Sequence, residues 1–354
     1  MPAPSSPSRA RTAAGWLGLG AAVAAAGLAL DALGLPSASL FAALLVGVGV
    51  TLAVPGRFAT PGPVNTAARA VVGVTLGAYV QGSALSALAG SWLPVVLISL
   101  ATLALSIACG LVLSRVTRLD RATATLGSVA GGASGIVAMA EELGADERLV
   151  AFMQYMRVLI VVAATPVIAL VAFSSTGGGA PPAGGGALGT ASGWLLTGAI
   201  VLVGTALARQ VTFPAGSLLV PLILAGAVTL AAPGVDFEVP PLLREAGFAL
   251  IGLQVGLRFT ADTLREIGAL AGPVVVGILA LMLACFGFAA LLAATSSATL
   301  LDAYLATTPG GLFAVVAAAF GTGADTTFIV AVQTIRLVVM VLLAPLTVRF
   351  ASRA

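Results

Sequence analysis

The sequence predicts an all-α polytopic membrane protein built from two inverted repeats, each with about five full spans plus one interrupted or re-entrant helix. Three observations carry that prediction. Of 354 residues, 59% are hydrophobic and only 8% charged, where a soluble domain carries about 25% charged residues. Two separate blocks of sequence recur along the chain. The arginines between apolar runs fall on one side of a bilayer only if each half contains a segment that dips in and returns.

Taken from the N-terminus, residues 1–11 open with the polar stretch MPAPSSPSRA, which reads as a disordered tail. The run from Thr12 to Leu30 is long for the apolar core of a cleavable signal and reads as a retained first span. Charge-free runs then cover 32–56, 70–114, 158–208, 210–235 and 267–301. One helical crossing needs about 20 apolar residues, so the longest runs each hold two crossings. Ten to twelve membrane segments result. The uncharged Gly/Pro-rich stretch 174–192 reads as a flexible linker between repeat 1 (12–173) and repeat 2 (193–350).

Duplication is read from aligned residues. PSASLFAALLVGVGVTLAVPG at 36–56 and PAGSLLVPLILAGAVTLAAPG at 214–234 share ten of 21 positions without a gap. Residues 128–168 and 307–347 share twelve of 41, including a glycine pair, a Gly-Ala-Asp triplet, a Gln, an Arg and a Pro. With the N-terminus inside, the loops of the first half alternate as Asp31 outside, Arg57 inside, the uncharged 84–91 outside, and Arg115, Arg118 and Arg121 inside. If 122–143 and 300–322 each return to the side they entered from, Arg209, Arg258, Arg265, Arg349 and Arg353 also lie inside, with Asp236 and Glu238 outside. Five full crossings per copy then invert the second copy relative to the first, as in many secondary transporters. The expected location is the cytoplasmic membrane, with both termini in the cytoplasm.

Gly131-Gly132 and Pro309-Gly310-Gly311 can break a helix, because glycine adopts backbone angles other residues avoid and proline removes a hydrogen bond. Broken backbone inside a bilayer must line a cavity or be covered by protein. Half-helices starting near Ser134 and Phe313 would aim their N-terminal N–H groups at such a cavity. The alternative is that the glycines serve close helix packing. Next come Gly144-Ala145-Asp146 and Gly323-Ala324-Asp325, where glycine closes one helix and aspartate caps the next. Asp146 and Asp325 are thus capping groups or coupling carboxylates. Glu141, with Phe320 at the matching position, is solvated or a one-sided coupling group.

Arg157 and Arg336 each follow their aspartate by eleven residues, about 16 Å along a helix. That is near the middle of an apolar layer about 30 Å thick. Gln154 and Gln333 precede them by three residues and share their helical face. An intramembrane arginine is a functional hypothesis by default, and its planar fork suits carboxylates and phosphates. The competing role is structural, with each guanidinium pinning carbonyls exposed by the neighbouring break. Paired arginines and paired half-helix N-termini together suggest a small anionic solute held by Gly131, Gly132, Ser134, Gln154, Arg157, Gly310, Gly311, Gln333 and Arg336.

Other chemistries are disfavoured. The chain has no histidine, and Cys109 and Cys285 lie in separate apolar runs, so no ligand set for zinc, copper or iron is evident. No phosphate-binding P-loop occurs, and a protease nucleophile at Ser134 would find no histidine or lysine as its base. The expectation is a protein that is no enzyme, needs no cofactor and binds no nucleic acid. Its partners would be the lipid bilayer and the solute, with a homodimer as the candidate assembly.

The duplicated pattern GGxxxxVAxA…GAD…Q…R…P, together with ALIGLQVGLRFTADTLREI at 249–267, resembles the AbrB-type integral membrane family, also labelled an ammonia monooxygenase family. The resemblance runs from about residue 14 to residue 350. It implies kinship with the cation:proton antiporter and anion transporter superfamily, and hence a transport-like fold with interrupted helices. The family labels also imply ammonia oxidation, which would need a metal site, and a role in regulation of gene expression, which a membrane protein would exert indirectly. The reading that results is a secondary transporter for a small anionic solute working by alternating access. Its alternative is a non-transporting membrane regulator or sensor that uses the same pocket.

Overall fold

A computed structural model of the chain describes residues 9–35, 37–78, 80, 90–130, 136, 137, 140, 143–173, 188–210, 216–231, 237–258, 261–310 and 312–353. Among the described residues the regular structure is entirely helical. The helices are α1 (Arg9–Ala32), α2 (Ala38–Ala53), α3 (Gly62–Ala78), α4 (Trp92–Val116), α5 (Arg121–Ser128), α6 (Glu147–Phe173) and α7 (Ala191–Ala208). They continue as α8 (Gly216–Ala231), α9 (Pro241–Gly256), α10 (Ala261–Thr295), α11 (Leu300–Thr307), α12 (Leu312–Thr322) and α13 (Thr326–Arg353). The first helix begins at Arg9, inside the stretch expected to be a tail, and α7 begins at Ala191, inside the expected linker. Thr190 explains the latter, because its hydroxyl accepts the Gly193 N–H at 3.1 Å and caps the helix.

Among the described residues, five helical stretches are long and apolar enough to cross a membrane: Ala14–Ala32, Trp92–Val116, Glu147–Phe173, Ala191–Ala208 and Leu270–Thr295. Ala38–Ala53, Gly216–Ala231 and Thr326–Met340 are apolar but shorter. The outer surface is also apolar: Leu195 and Leu202 on α7 and Val276 and Leu283 on α10 are largely exposed. In water such a surface would drive association, whereas hydrocarbon solvates it without cost.

The helices follow the duplication. Helices α2 and α8, α3 and α9, α4 and α10, α5 and α11, and α6 and α13 occupy matching places in the two copies. Packing then crosses between copies, with α2 against α9 and α3 against α8. Glycine makes both contacts close. A Cβ on Gly73 would lie 2.2 Å from the Leu218 carbonyl oxygen, and one on Gly77 would lie 2.4 Å from that of Leu222. In the matching interface a Cβ on Gly252 would lie 2.1 Å from the Leu40 oxygen, and one on Gly256 would lie 2.5 Å from that of Leu44. Each glycine pair is spaced four residues apart, one turn along one face, so two backbones can approach where a side chain would hold them apart.

Two bundles result. Helices α1, α2, α3, α7, α8 and α9 pack together, while α4, α5, α6 and α10 to α13 form the other group. The seam between them runs along α9, which touches α6 and α12. An apolar cluster fills it, with Leu40, Leu44, Val72 and Phe248 from the first bundle meeting Val162, Val316, Phe320 and Val330 from the second. At one end of the seam the Arg244 guanidinium lies over the Phe320 ring at 4.8 Å and pairs with Glu245 at 3.1 Å. Glu245 also accepts from the Ser39 hydroxyl at 2.7 Å, and the Ser37 hydroxyl donates to the Ala317 carbonyl of α12.

The second bundle contains the interruption. Helix α11 stops at Thr307, Thr308 is extended, and Gly310 has φ +98° before α12 begins at Leu312. Pro309 accounts for the stop, because it drives the preceding residue out of the helical region. Only glycine tolerates the backbone that follows. In the first copy α5 stops at Ser128 with Val129 extended. Gly131, Gly132 and Ser134 lie outside the described residues, as does Gly311.

The crossed glycine contacts yield a direct test. Gly252→Ala adds a methyl where the Leu40 carbonyl already sits, and overpacking of this kind costs about 1–3 kcal/mol. Gly49→Ala, on a face with nothing within 4 Å, serves as the matched control. Thermal unfolding in detergent micelles is expected to show a clear loss of stability for the first and none for the second.

Candidate functional site

The site is assembled from the two turns that launch α6 and α13. Gly144 (φ +74°) and Gly323 (φ +70°) take the left-handed conformation that ends a helix. The Ala145 N–H then reaches back to the Ala140 carbonyl at 2.9 Å, and the Ala324 N–H to that of Ala319 at 3.1 Å. Next the Asp146 carboxylate accepts the N–H groups of Arg148 and Leu149 at 2.9 and 3.2 Å, and Asp325 accepts that of Phe328 at 3.0 Å. Both carboxylates thus sit at helix starts, and no ion pair joins either of them to Arg157 or Arg336.

Each turn is tied to the half-helix before the break. The Asp146 N–H donates to the Thr123 hydroxyl at 2.8 Å, and the Asp325 N–H donates to the Asp302 carboxylate at 2.8 Å. Thr123 and Asp302 are the third residues of α5 and α11, whose caps are Asp120 and Thr299. Aspartate and threonine have therefore exchanged places between the copies while the bonds they make persist. Copy two gains a full capping box, in which Asp302 accepts from the Thr299 backbone N–H at 3.1 Å.

With their starts fixed, α6 and α13 deliver their polar groups to the broken ends. The Gln154 amide donates to the carbonyls of Leu126 at 2.7 Å and Val129 at 3.0 Å. In the second copy the Gln333 amide donates to those of Leu305 at 2.8 Å and Thr308 at 3.3 Å. Arg157 Nη1 donates to the Ser128 carbonyl at 3.1 Å, and Arg336 Nη1 donates to the Thr307 carbonyl at 2.9 Å. Each guanidinium also donates through Nη2 to the oxygen of its own glutamine. The last carbonyls of α5 and α11 have no partner within their own helices and carry the negative end of the helix dipole. An amide and a guanidinium satisfy them in both copies.

This arrangement leaves a surplus. Arg157 is 2% exposed and Arg336 4% exposed, so both guanidinium groups are buried. Each helix end offsets about half a charge, so roughly one positive charge stays uncompensated. Among the described residues the one ion pair is Arg244 with Glu245, far along the chain from both. Arg157 Nε and Arg336 Nε are buried N–H donors without a partner. A Cβ on Gly310 would lie 2.9 Å from Arg157 Nε, so the break in the second copy borders the guanidinium of the first. The N-terminus of α12 follows directly and adds its own positive dipole end.

A cavity of about 20 Å³ adjoins Arg157, between Cys109, Gly127, Ser128, Met153 and Gly277. Space of that size holds a water-sized occupant. Of the residues proposed from sequence, Gln154, Arg157, Gln333 and Arg336 meet the broken helix ends, and Gly310 lies against Arg157. Gly131, Gly132, Ser134, Glu141 and Gly311 lie outside the described residues. The carbonyls of Ser128 and Thr307 fit the structural alternative for the two arginines, in which each pins backbone exposed by the break, whereas the Thr123 and Asp302 tethers are additions from the structure. The spacings Asp120-x-x-Thr123 and Thr299-x-x-Asp302 at matching places were the available signal.

Residues 40–352 match the family described as transition state regulatory protein AbrB. The chain is 34% identical over 323 residues to a protein of Escherichia coli (strain K12) named "Putative regulator AbrB", covering 90% of this chain and 91% of that one. It is 24% identical over 288 residues to "Uncharacterized protein YhjN" of Bacillus subtilis (strain 168), covering 78% of this chain and 75% of that one.

The tethers are testable apart from any ligand. Asp302→Ala removes the capping box and the acceptor for the Asp325 N–H, and losses of this type cost about 1–3 kcal/mol. Thermal unfolding is expected to fall correspondingly. Asp302→Asn, which keeps an acceptor oxygen, is expected to recover part of it.

Proposed function

This chain belongs to the AbrB family, and on that premise we propose that it is a secondary transporter moving a small anionic solute across the cytoplasmic membrane. The observation that carries the reading is the pair of buried guanidiniums, Arg157 and Arg336, each satisfied by a helix end yet each keeping an unpaired Nε–H. A buried charge without compensation is expensive, and an anion shared by the two Nε–H groups relieves both the charge surplus and the missing hydrogen bonds. The bonds it accepts are charge-assisted and therefore strong.

The duplication supplies the mechanism. Two copies, inverted in the membrane with both termini in the cytoplasm, present equivalent half-sites to opposite faces. Movement of the α4–α6/α10–α13 bundle against the other along the α9 seam opens the site to each side in turn.

A second reading takes its motive from the E. coli relative, whose name includes the word regulator. In it the same site binds an anion and signals to a partner without flux. Flux of small radiolabelled anions into proteoliposomes separates the two. Wild-type protein is expected to move at least one such anion, and Arg157→Ala or Arg336→Ala is expected to lower the rate about tenfold or more, since losing one partner of a buried charged contact costs about 2–5 kcal/mol. Saturable binding with no flux favours the sensor.

A further inference from the structure

We propose that the cavity beside Arg157 selects small monovalent anions over divalent oxyanions such as sulfate, a refinement that rests on the anion-binding reading of the paired arginines. Its polar side chains are few. Arg157 and Ser128 supply them, while Leu113 on α4 and Val274, Ile278 and Leu281 on α10 supply apolar wall. Arg157 is buried, and its Nε–H has no partner. An anion beside that wall gains a charge-assisted hydrogen bond from Nε–H and exchanges most of its remaining hydration for hydrocarbon. The Born cost of that exchange rises with the square of the charge, so a dianion pays about four times what a monovalent ion pays. The helix ends also leave roughly one positive charge to be matched. One negative charge balances it, and two overshoot.

The apolar wall is particular to one copy. The spacing that matches Pro94 to Pro273 matches Ser99 to Ile278, Thr102 to Leu281, Ile98 to Gly277 and Phe288 to Cys109. On α4, Ser99 and Thr102 are buried hydroxyls that donate to the carbonyls of Val95 at 2.7 Å and Ile98 at 2.8 Å. Their oxygens keep lone pairs that a polar neighbour could use. On α10 the matching places carry only hydrocarbon. Gly277 completes the wall: the Cys109 thiol reaches its carbonyl at 3.6 Å, and a Cβ there would lie 3.3 Å from the sulfur. The two arginines thus make the same bonds to helix ends, while the wall beside Arg157 departs from the repeat. Leu281 and Ile278 are the residues that set the selectivity, by withholding hydroxyls that the other copy holds at those places.

Cys109 reports on the cavity from within its wall. Cys285→Ser, the counterpart of Ser106 in the other copy, leaves Cys109 as the one thiol of the chain. The full chain with that change, in an uncharged detergent, is reacted with methyl methanethiosulfonate in sodium bromide, formate or sulfate, against sodium gluconate at matched ionic strength. Saturating bromide or formate is expected to slow labelling about tenfold or more, as the unoccupied fraction falls with ligand concentration. Sulfate is expected to slow it little. Arg157→Gln is expected to keep the labelling and lose the slowing, and Leu281→Thr to narrow the preference for bromide over sulfate. The sulfate arm and Arg157→Gln decide the matter even where Leu281→Thr does not fold. A Cys109 that is inert, labelling indifferent to every salt, slowing by sulfate equal to that by bromide, or slowing that survives Arg157→Gln overturns the proposal. Selective slowing without solute flux upholds this site and removes the transporter, whereas flux of sulfate and bromide alike upholds the transporter and removes the selectivity.

Discussion

Two positive charges in an apolar interior, held by helix ends instead of carboxylates, are the constraint on which the rest of this structure depends. A membrane-buried guanidinium is tolerable only when it meets oxygen, and most backbone oxygen in a bilayer is already engaged within its own helix. Breaking α5 at Ser128 and α11 at Thr307 releases the carbonyls that Arg157 and Arg336 need. The dependence is mutual: without the Gln–Arg pairs those buried carbonyls would be orphaned in the protein interior. The breaks and the arginines are one feature, built twice.

Precision at the site comes from the turns that launch the two helices. A left-handed glycine, a capping aspartate and a tether to the third residue of the preceding half-helix set where α6 and α13 start. Eleven residues further on, that setting places a glutamine and an arginine against the broken end. The crossed glycine contacts of α2 with α9 and α3 with α8 hold the other bundle together independently. Among the described residues an apolar seam joins the two groups, with polar contacts beside it.

Much of this was legible in the sequence because duplication repeats its signals. Gly-Ala-Asp, Gln and Arg at matching places marked the launching turns and the buried polar pairs, and Pro309-Gly310 marked the interruption now seen between α11 and α12. The start of α12 falls at Leu312, one residue before Phe313, because helix ends follow capping geometry that composition does not specify. Gly73-x-x-x-Gly77 and Gly252-x-x-x-Gly256 were equally visible, yet spacing alone does not say which backbone each glycine admits. Nor does a sequence say which of an arginine's N–H groups stays unpaired, although that detail gives the site its chemistry.

The central claim is that the unpaired Nε–H groups of Arg157 and Arg336 hold an anion. Crystals of the full chain grown in bromide, with diffraction recorded at the bromine absorption edge, test it most directly, because a bound bromide ion reports its own position. The account predicts an anomalous peak within hydrogen-bonding distance of Arg157 Nε or Arg336 Nε. Well-ordered density showing both groups donating to protein oxygen, with no bromide beside them, would contradict it.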